Sequence, residues 1–320
     1  MNAEEPGAYP EPGRVLVHLS DTHFVASPAG LYDAVDTDSL LERAVTQLER
    51  MGTDVDALVV TGDVADRAEP EAYARIRKIL EAAARRLGTE LVWVMGNHDG
   101  RDALRHELLG QPASDAPIDS VRILGGFRLV TLDTSVPGFH HGDIAPEQFD
   151  WLRDVLSQPA PEGTVLAMHH PPLPTPVKLL RILELKHQDE LASVIAGSDV
   201  RAILAGHLHY PTTGLFAGVP VFAAGAVSYT IDVSAPAREL SGVDGGQTFQ
   251  LISIYPDRVV CAVAPIGNSR QVARFDADYL DRLEALGPLE RFDAFSRMPP
   301  PTTPERAAHQ APSTRPGTIS

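Results

Sequence analysis

Cysteine is nearly absent from this chain of 320 residues. The single one, Cys261, excludes an intramolecular disulfide and points to a reducing compartment. With no CxxC pair, a thiolate zinc ribbon is excluded as well. No apolar run approaches the roughly 20 residues that a membrane-spanning helix needs. The best of them, LFAGVPVFAAGAV at 215–227, is short and carries a proline. The start, MNAEEPGAYPEPG, is acidic and rich in proline and glycine, and lacks the basic and apolar regions of a secretory leader. Positive charge is also scarce: 27 Lys and Arg stand against 43 Asp and Glu, a formal net charge of −16. Such a surface offers no track for a polyanion, so nucleic acid is not expected as a partner and broad adhesion to anionic membrane is disfavoured. These absences set the expectation of a cytoplasmic protein without a transmembrane segment.

What the chain does have is apolar residues, 43% of the total, arranged in alternation. Short apolar and β-branched runs at 14–20, 56–62, 90–96, 164–168 and 200–206 read as buried strands. Helical spacing fills the gaps: SLLERAVTQLERMG stopping at Gly52, a segment from Pro70 to Gly88, a short helix near 101–109, one opened by Pro146, and one near 188–196. Residues 121–134 read as a hairpin turning at Gly125 and Gly126. Beyond residue 210 the pattern changes to two hairpins and a short helix at about 276–286. The alternation suggests a layered α/β domain with two sheets and outer helices. The chain divides into a flexible start (1–13), one folded domain (14–290) and a tail (291–320). The last 24 residues of that tail, rich in Pro, Ser and Thr, read as disordered, and peripheral membrane association through the tail is compatible with its composition. The stretch VKLLRILELKH (177–187) reads as core or as a cap over the site, ahead of a subunit contact in a homodimer.

In layered α/β proteins sites form beyond the carboxyl ends of strands. Five of the expected strands end in metal-binding residue types: Asp21-Thr22-His23, Asp63, Asn97-His98-Asp99, His169-His170 and His207-Leu208-His209. A lone Asp there is ordinarily a turn former and a lone His an ordinary polar residue. His18 inside the first strand fits that description, and His106, His187 and His309 carry no expected role. The set is different: eight of the 12 histidines fall in these strand ends or in adjoining loop segments, the latter holding His140 and His141. Residues i and i+2 of extended chain point the same way, so Asp21/His23 and His207/His209 are each expected to present two donors to one place. Imidazole, carboxylate and amide donors suit Mn²⁺, Fe or Zn²⁺ better than Ca²⁺ or Mg²⁺.

The ordered set Asp-x-His, Gly-Asp, Gly-Asn-His-Asp, His-His and Gly-His-x-His resembles the calcineurin-like metallophosphoesterases. LSDTH, TGDVAD, ELVWVMGNHD, LDTSVPGFHHG, MHHPP and RAILAGHLHY narrow the resemblance to the bacterial class III cyclic-nucleotide phosphodiesterases, over about residues 14–265. The resemblance implies an α/β fold of two mixed sheets packed face to face and flanked by helices, the four-layer sandwich, and two metal ions, Fe or Mn with Zn or Co as alternatives. Asp21, His23 and His209 would hold one ion, and Asn97, His169 and His207 the other, with Asp63 bridging. It implies hydrolysis of a 3′,5′-cyclic nucleotide, cAMP first and cGMP also, to the 5′-nucleotide by a hydroxide shared between the ions. His98 would be the catalytic acid or phosphoryl stabiliser, with Asn97, His98, His209 and His140 as substrate contacts. Asp66 or Asp99 would orient His98, and His141 and His170 would line the pocket. Other readings of the same core are a broader phosphodiesterase, acting on 2′,3′-cyclic nucleotides or glycerophosphodiesters, and a cyclic-nucleotide-binding or membrane-associated protein with incidental catalysis.

Overall fold

The computed structural model describes residues 9–267 and 270–298. In chain order the elements are β1 (Arg14–Leu19), α1 (Thr37–Met51), β2 (Ala57–Val60), α2 (Pro70–Leu87), β3 (Glu90–Trp93), α3 (Arg101–Leu104, running into a π turn at Arg105–Leu109), β4 (Ser120–Leu124), β5 (Phe127–Leu132), α4 (Pro146–Leu156), β6 (Thr164–Met168), α5 (Gln188–Ile195) and β7 (Val200–Ala205). Then follow β8 (Thr212–Phe216), β9 (Val219–Ala223), the two-residue strands β10 (Thr230–Ile231) and β11 (Gly242–Val243), β12 (Thr248–Ile254), β13 (Val259–Pro265), α6 (Ala277–Glu284) and α7 (Pro288–Ser296). No helix among the described residues is long and apolar enough to cross a membrane.

Two mixed sheets carry the architecture, with strand orders β13-β12-β1-β2-β3 and β4-β5-β6-β7-β9-β8. Strands β1, β2 and β3 run parallel in the first sheet. In the second, β5, β6, β7 and β9 do the same. Period-2 alternation sorts their side chains into three apolar layers. Leu16, Ala57 and Val59 of the first sheet meet Leu129, Val165, Ala202 and Leu204 of the second in a core between the sheets. Val17, Leu19, Leu58 and Val60 point the other way, against Leu41, Ala44, Val45 and Leu48 of α1 and Tyr73, Ile76 and Leu80 of α2. Val130, Leu132, Leu166 and Ile203 face Phe149 and Leu152 of α4 and Leu191 of α5. The helix–sheet–sheet–helix order is the sandwich expected from the alternating pattern.

Three parallel strands of the second sheet are locked at their starting ends by one cation. Arg128, buried at the start of β5, donates to Thr164 Oγ1 of β6 at 2.8 Å and to both carboxylate oxygens of Asp199, just before β7, at 2.8 and 3.1 Å. It also donates to the Val155 and Gln158 carbonyls at the end of α4.

The expected cap at 177–187 splits its apolar residues between core and surface. Leu180 packs with Leu208, Tyr210 and Ile231, and Leu185 joins the α4/α5 layer, while Leu179 and Ile182 are exposed. Compact packing ends earlier than the expected boundary at 290: one unit lies within Glu11–Asn268, and α6 and α7 belong to another. In that second unit Phe275 meets Tyr279 of α6 and Phe295 of α7. Helix α7 therefore crosses the line drawn at 290/291. Pro288 starts a helix there, as a first-turn proline does, where the sequence reading ended the domain two residues later. Residues 299–320, with His309, lie outside the described residues, as do 1–8.

Replacing Arg128 with Met leaves the Asp199 carboxylate, 11% exposed, without its cation at the end of the sheet away from the strand-end loops. We expect a loss of about 3–5 kcal/mol in unfolding free energy with metal binding intact, read by denaturant melts and metal analysis of the folded variant.

Candidate metal centre

The loops that follow β1, β2, β3, β6 and β7 meet at one end of the sandwich. Their backbones are tied to one another past the strand ends: Asp21 N–H donates to Gly62 O, His23 N–H to Asp63 O, Phe24 N–H to Val64 O, and Gly206 N–H to His169 O, all at 2.9–3.1 Å. This lacing holds an unusual backbone. Asp21, His23, Asp63, His207 and His209 all have positive φ, between 42° and 70°, a conformation that costs a non-glycine residue roughly 1–3 kcal/mol. The extended geometry expected for the i, i+2 pairs is therefore replaced by left-handed turns. Asp21 and His23 still share one place, but His207 and His209 part company: His209 joins Asp21, His23 and Asp63, and His207 joins His169 and His170. A left-handed residue swings its side chain out of the strand alternation on which the expectation was built.

The interatomic distances draw one continuous cluster. His209 Nε2 lies 3.3 Å from Asp21 Oδ1 and 3.1 Å from His23 Nε2, which is 3.5 Å from Asp63 Oδ2. The same Asp63 oxygen lies 3.3 Å from His169 Nε2, itself 3.1 Å from Asn97 Oδ1. Asp63 thus stands in both halves. All of these side chains except that of Asn97, which is half-buried, are buried. The outward ring nitrogens are fixed from behind: His23 Nδ1 bonds Asp66 Oδ1 (3.0 Å), and the Nδ1–H groups of His169 and His209 donate to the carbonyls of Thr61 (2.7 Å) and Tyr229 (2.9 Å). Each of those Nε2 atoms is thereby aimed at the cluster.

So many acceptors in a dry space demand positive charge among them. Burial alone would raise both carboxyls. Instead the neighbouring imidazoles hold Asp63 far below the usual range, and His209 and His169 bring Asp21 down to about 2. Burial also works against a second proton on His169, yet Asp63 and Asp21 outweigh it and raise that imidazole to about 9. His207 is the exception: burial, with His169 beside it, lowers it to about 3, so it is neutral, and its Nε2 is buried with no hydrogen-bond partner. An orphaned imidazole nitrogen grouped with His169 and His170, next to the Asp21, His23, Asp63 and His209 group, completes a donor set for borderline divalent cations, and the residues fit a two-ion centre.

His98 sits at the rim. Its backbone N–H donates to Asp63 Oδ1 (2.8 Å) and its Nδ1–H to the Asp66 carbonyl (2.9 Å), which leaves Nε2 open to a substrate. His140 is exposed beside it, with ring centroids 4.9 Å apart and Asn97 Nδ2–H donating to His140 Nδ1 at 3.0 Å. Asp66 thus does the orienting expected of it, through its carbonyl for His98 and through its carboxylate for His23. Asp99 does not orient His98. It accepts from the backbone N–H groups of Val64, Ala65 and Gly96 and from Tyr73 Oη, a loop-bracing role, while burial and nearby Asp63 push it up to about 6. His170 comes near His169 and His207, but both its ring nitrogens are spent on Thr134 Oγ1 and the His140 carbonyl. His141 turns to Lys186, His187 to Asp143 and His106 to Glu107. His18 is satisfied in the core by Gln250 and Thr61. The Thr61 and Tyr229 carbonyls left no sequence signal, because a main-chain acceptor carries no residue type.

A family model described as calcineurin-like phosphoesterase matches residues 15–211. The chain belongs to that family. Among relatives, this phosphoesterase is 48% identical over 275 residues, 86% of each chain, to a protein of Mycobacterium tuberculosis named as a cAMP/cGMP dual specificity phosphodiesterase. It is 47% identical over 281 residues, 87% of this chain and 93% of the other, to a probable cyclic nucleotide phosphodiesterase of Rhodococcus erythropolis. Of solved structures, a dimetal phosphatase from Danio rerio shares the fold with a TM-score of 0.56 and 18% identity, over 80% of this chain and 97% of the other.

Two glycines let the phosphoesterase loops close on one another. A Cβ on Gly206 would lie 1.9 Å from Ser20 Oγ and 2.7 Å from Asp21 Oδ2, and one on Gly96 would lie 2.0 Å from Asp63 N and 2.3 Å from Asp63 Oδ1. Gly206→Ala should cut bound metal per folded chain severely, whereas Gly245→Ala, with nothing within 4 Å, should not; metal analysis after dialysis distinguishes them. The proton balance gives a second test. Metal-free His169 carries a proton below about pH 9, and a ligand must shed it. Calorimetric titration at pH 7 in buffers of different ionisation heat should therefore show about one proton or more released on loading, with release fading and affinity rising as pH passes 9.

Proposed function

We propose that this phosphoesterase hydrolyses 3′,5′-cyclic nucleotides, cAMP first and cGMP also, to 5′-nucleotides. The observation that carries the reading is His98: an imidazole anchored by Asp66, open at Nε2, beside a buried set of donors suited to two cations. The near full-length likeness to the mycobacterial cAMP/cGMP phosphodiesterase supplies the substrate class. In this reading Asp21, His23, Asp63 and His209 hold one ion and Asp63, Asn97, His169 and His207 the other, with Mn²⁺ or Fe matching the imidazole, carboxylate and amide mix. When bound, the ions supply Lewis-acid charge and a water acidic enough to act as nucleophile at neutral pH.

The chain's own residues do the rest. Asp63 fixes the backbone of His98 through its Oδ1, so that donors and acid share one frame. Asn97 and His209 border the phosphoryl group, and His140 flanks it through its bond to Asn97. Water adds to phosphorus and sheds one proton to solvent, the bond to O3′ breaks, and His98, with a proton on each ring nitrogen, gives the one on Nε2 to the leaving oxygen. The Asp66 carbonyl holds Nδ1–H throughout and keeps the ring from turning away. We place the enzyme in the cytoplasm, where a lone half-buried cysteine stays reduced, and a homodimer is compatible with this scheme.

The direct test is a panel of 3′,5′-cyclic nucleotides, 2′,3′-cyclic nucleotides and glycerophosphodiesters with identified products. Faster turnover of either of the last two would replace this reading with the broader phosphodiesterase. His98→Ala should keep its metal and fold while kcat falls roughly 10²- to 10⁴-fold. The loss should shrink on a diester that leaves as p-nitrophenolate. An equal loss on both substrates would assign His98 to phosphoryl stabilisation, and a loss of metal would make it a ligand.

A further inference from the structure

Between β1 and α1 the chain makes a tight loop that holds one aromatic ring in solvent. Leu31 and Val35 are buried and bridge each other, Leu31 N–H to Val35 O at 2.9 Å and Val35 N–H to Leu31 O at 3.0 Å. The tip between them has two consecutive non-glycine residues in the left-handed region, Tyr32 and Asp33, both at φ 54°. Such positions persist only where the surroundings impose them. The result is a Tyr32 side chain that is 61% exposed. A scattered exposed aromatic needs no explanation, but this one ends a row of rings. Its centroid lies 5.7 Å from that of Tyr229, edge to face at 69°; Tyr229 in turn lies 4.3 Å from His209 and 6.0 Å from His23. The row leads from the metal-ligand cluster to the rim, and the exposed ring keeps area for a flat partner.

We propose that Tyr32, backed by Tyr229, is the stacking platform for the nucleobase of the substrate. The inference rests on the cyclic-nucleotide reading and deepens it. With the phosphate at the donor cluster, the base lies a nucleoside's length away and needs an apolar face that tolerates any purine, because stacking makes little use of edge hydrogen bonds. Phe139, 60% exposed on the loop that carries His140, is the other aromatic at this end, but its ring packs 5.3 Å from His141, which is engaged with Lys186. No ring row joins it to the ligand set. Tyr32 is accordingly a substrate-positioning residue that acts on KM.

The test compares cAMP with a base-free ribose 3′,5′-cyclic phosphate, using metal-loaded wild type, Tyr32→Ala, Tyr32→Phe, Tyr32→Trp and Phe139→Ala. Tyr32→Ala should raise KM for cAMP about fivefold or more, the low end of base–aromatic stacking, with kcat little changed. The preference for cAMP over the base-free ester should collapse accordingly. Phe and Trp should restore it, which a hydroxyl-dependent or purely structural role would not allow, and melting and metal content should stay at wild-type values. An unchanged preference in Tyr32→Ala, or its loss in Phe139→Ala instead, overturns the platform while leaving the proposed activity standing. Wild type that hydrolyses neither ester overturns the activity itself, and the platform with it.

Discussion

Seven donors packed into a dry space repel one another, and the rest of the molecule is arranged to keep them there. Two carboxylates, four imidazoles and an amide oxygen converge with Asp63 common to both halves. In water such groups would turn apart. Here the Asp66 carboxylate and the carbonyls of Thr61 and Tyr229 hold three of the rings from behind, and inter-loop backbone hydrogen bonds hold the left-handed residues. The sandwich supplies the rigidity, since both sheets direct their parallel strands to the same end. Arg128 anchors the opposite end of the second sheet, so its strand starts cannot drift when the loops are under electrostatic tension.

That arrangement also reconciles an acidic chain with an anionic substrate. Exposed charges far from the site are screened by salt, whatever the net total of −16, whereas cations held by the cluster act at short range in low dielectric. Asp66 and Asp99 illustrate how context divides similar side chains. Asp66 takes an imidazole and keeps its carboxyl low, with burial opposing and His23 prevailing. Asp99, three residues along the chain from Gly96, takes loop amides and Tyr73, and is pushed up by burial instead.

The strands and helices were legible because apolar periodicity is a direct print of burial. The run TVLAM, too short for a helix and buried on both faces, is a strand from Thr164 to Met168, and Gly52 and Pro70 mark helix ends as their backbone chemistry requires. The donor residues were legible as types at strand ends. Their directions were not, because φ at His207 and His209 is set by contacts with loops nearly two hundred residues away, such as Asp21 accepting from His207 N–H. The different duties of Asp66 and Asp99 were hidden for the same reason. Helix α7 was missed since prolines and a short apolar pattern near the chain's end look alike whether or not a partner helix packs on them.

The pairing of β1 with β12 carries a temporal consequence. Leu16, near the beginning of the chain, sits opposite Ile252, and its sheet neighbours on the other side belong to β2. The first ligand loop follows β1 directly, yet Asp21 receives its contacts from His207 and Ser228. During synthesis β1 must wait with one edge unpaired until the residues of β12 have left the ribosome. An ion captured by the early ligands alone would find an open, solvated half-site. Loading is thereby deferred until β12 has paired, and until then the open β1 edge is a site for strand-swapping.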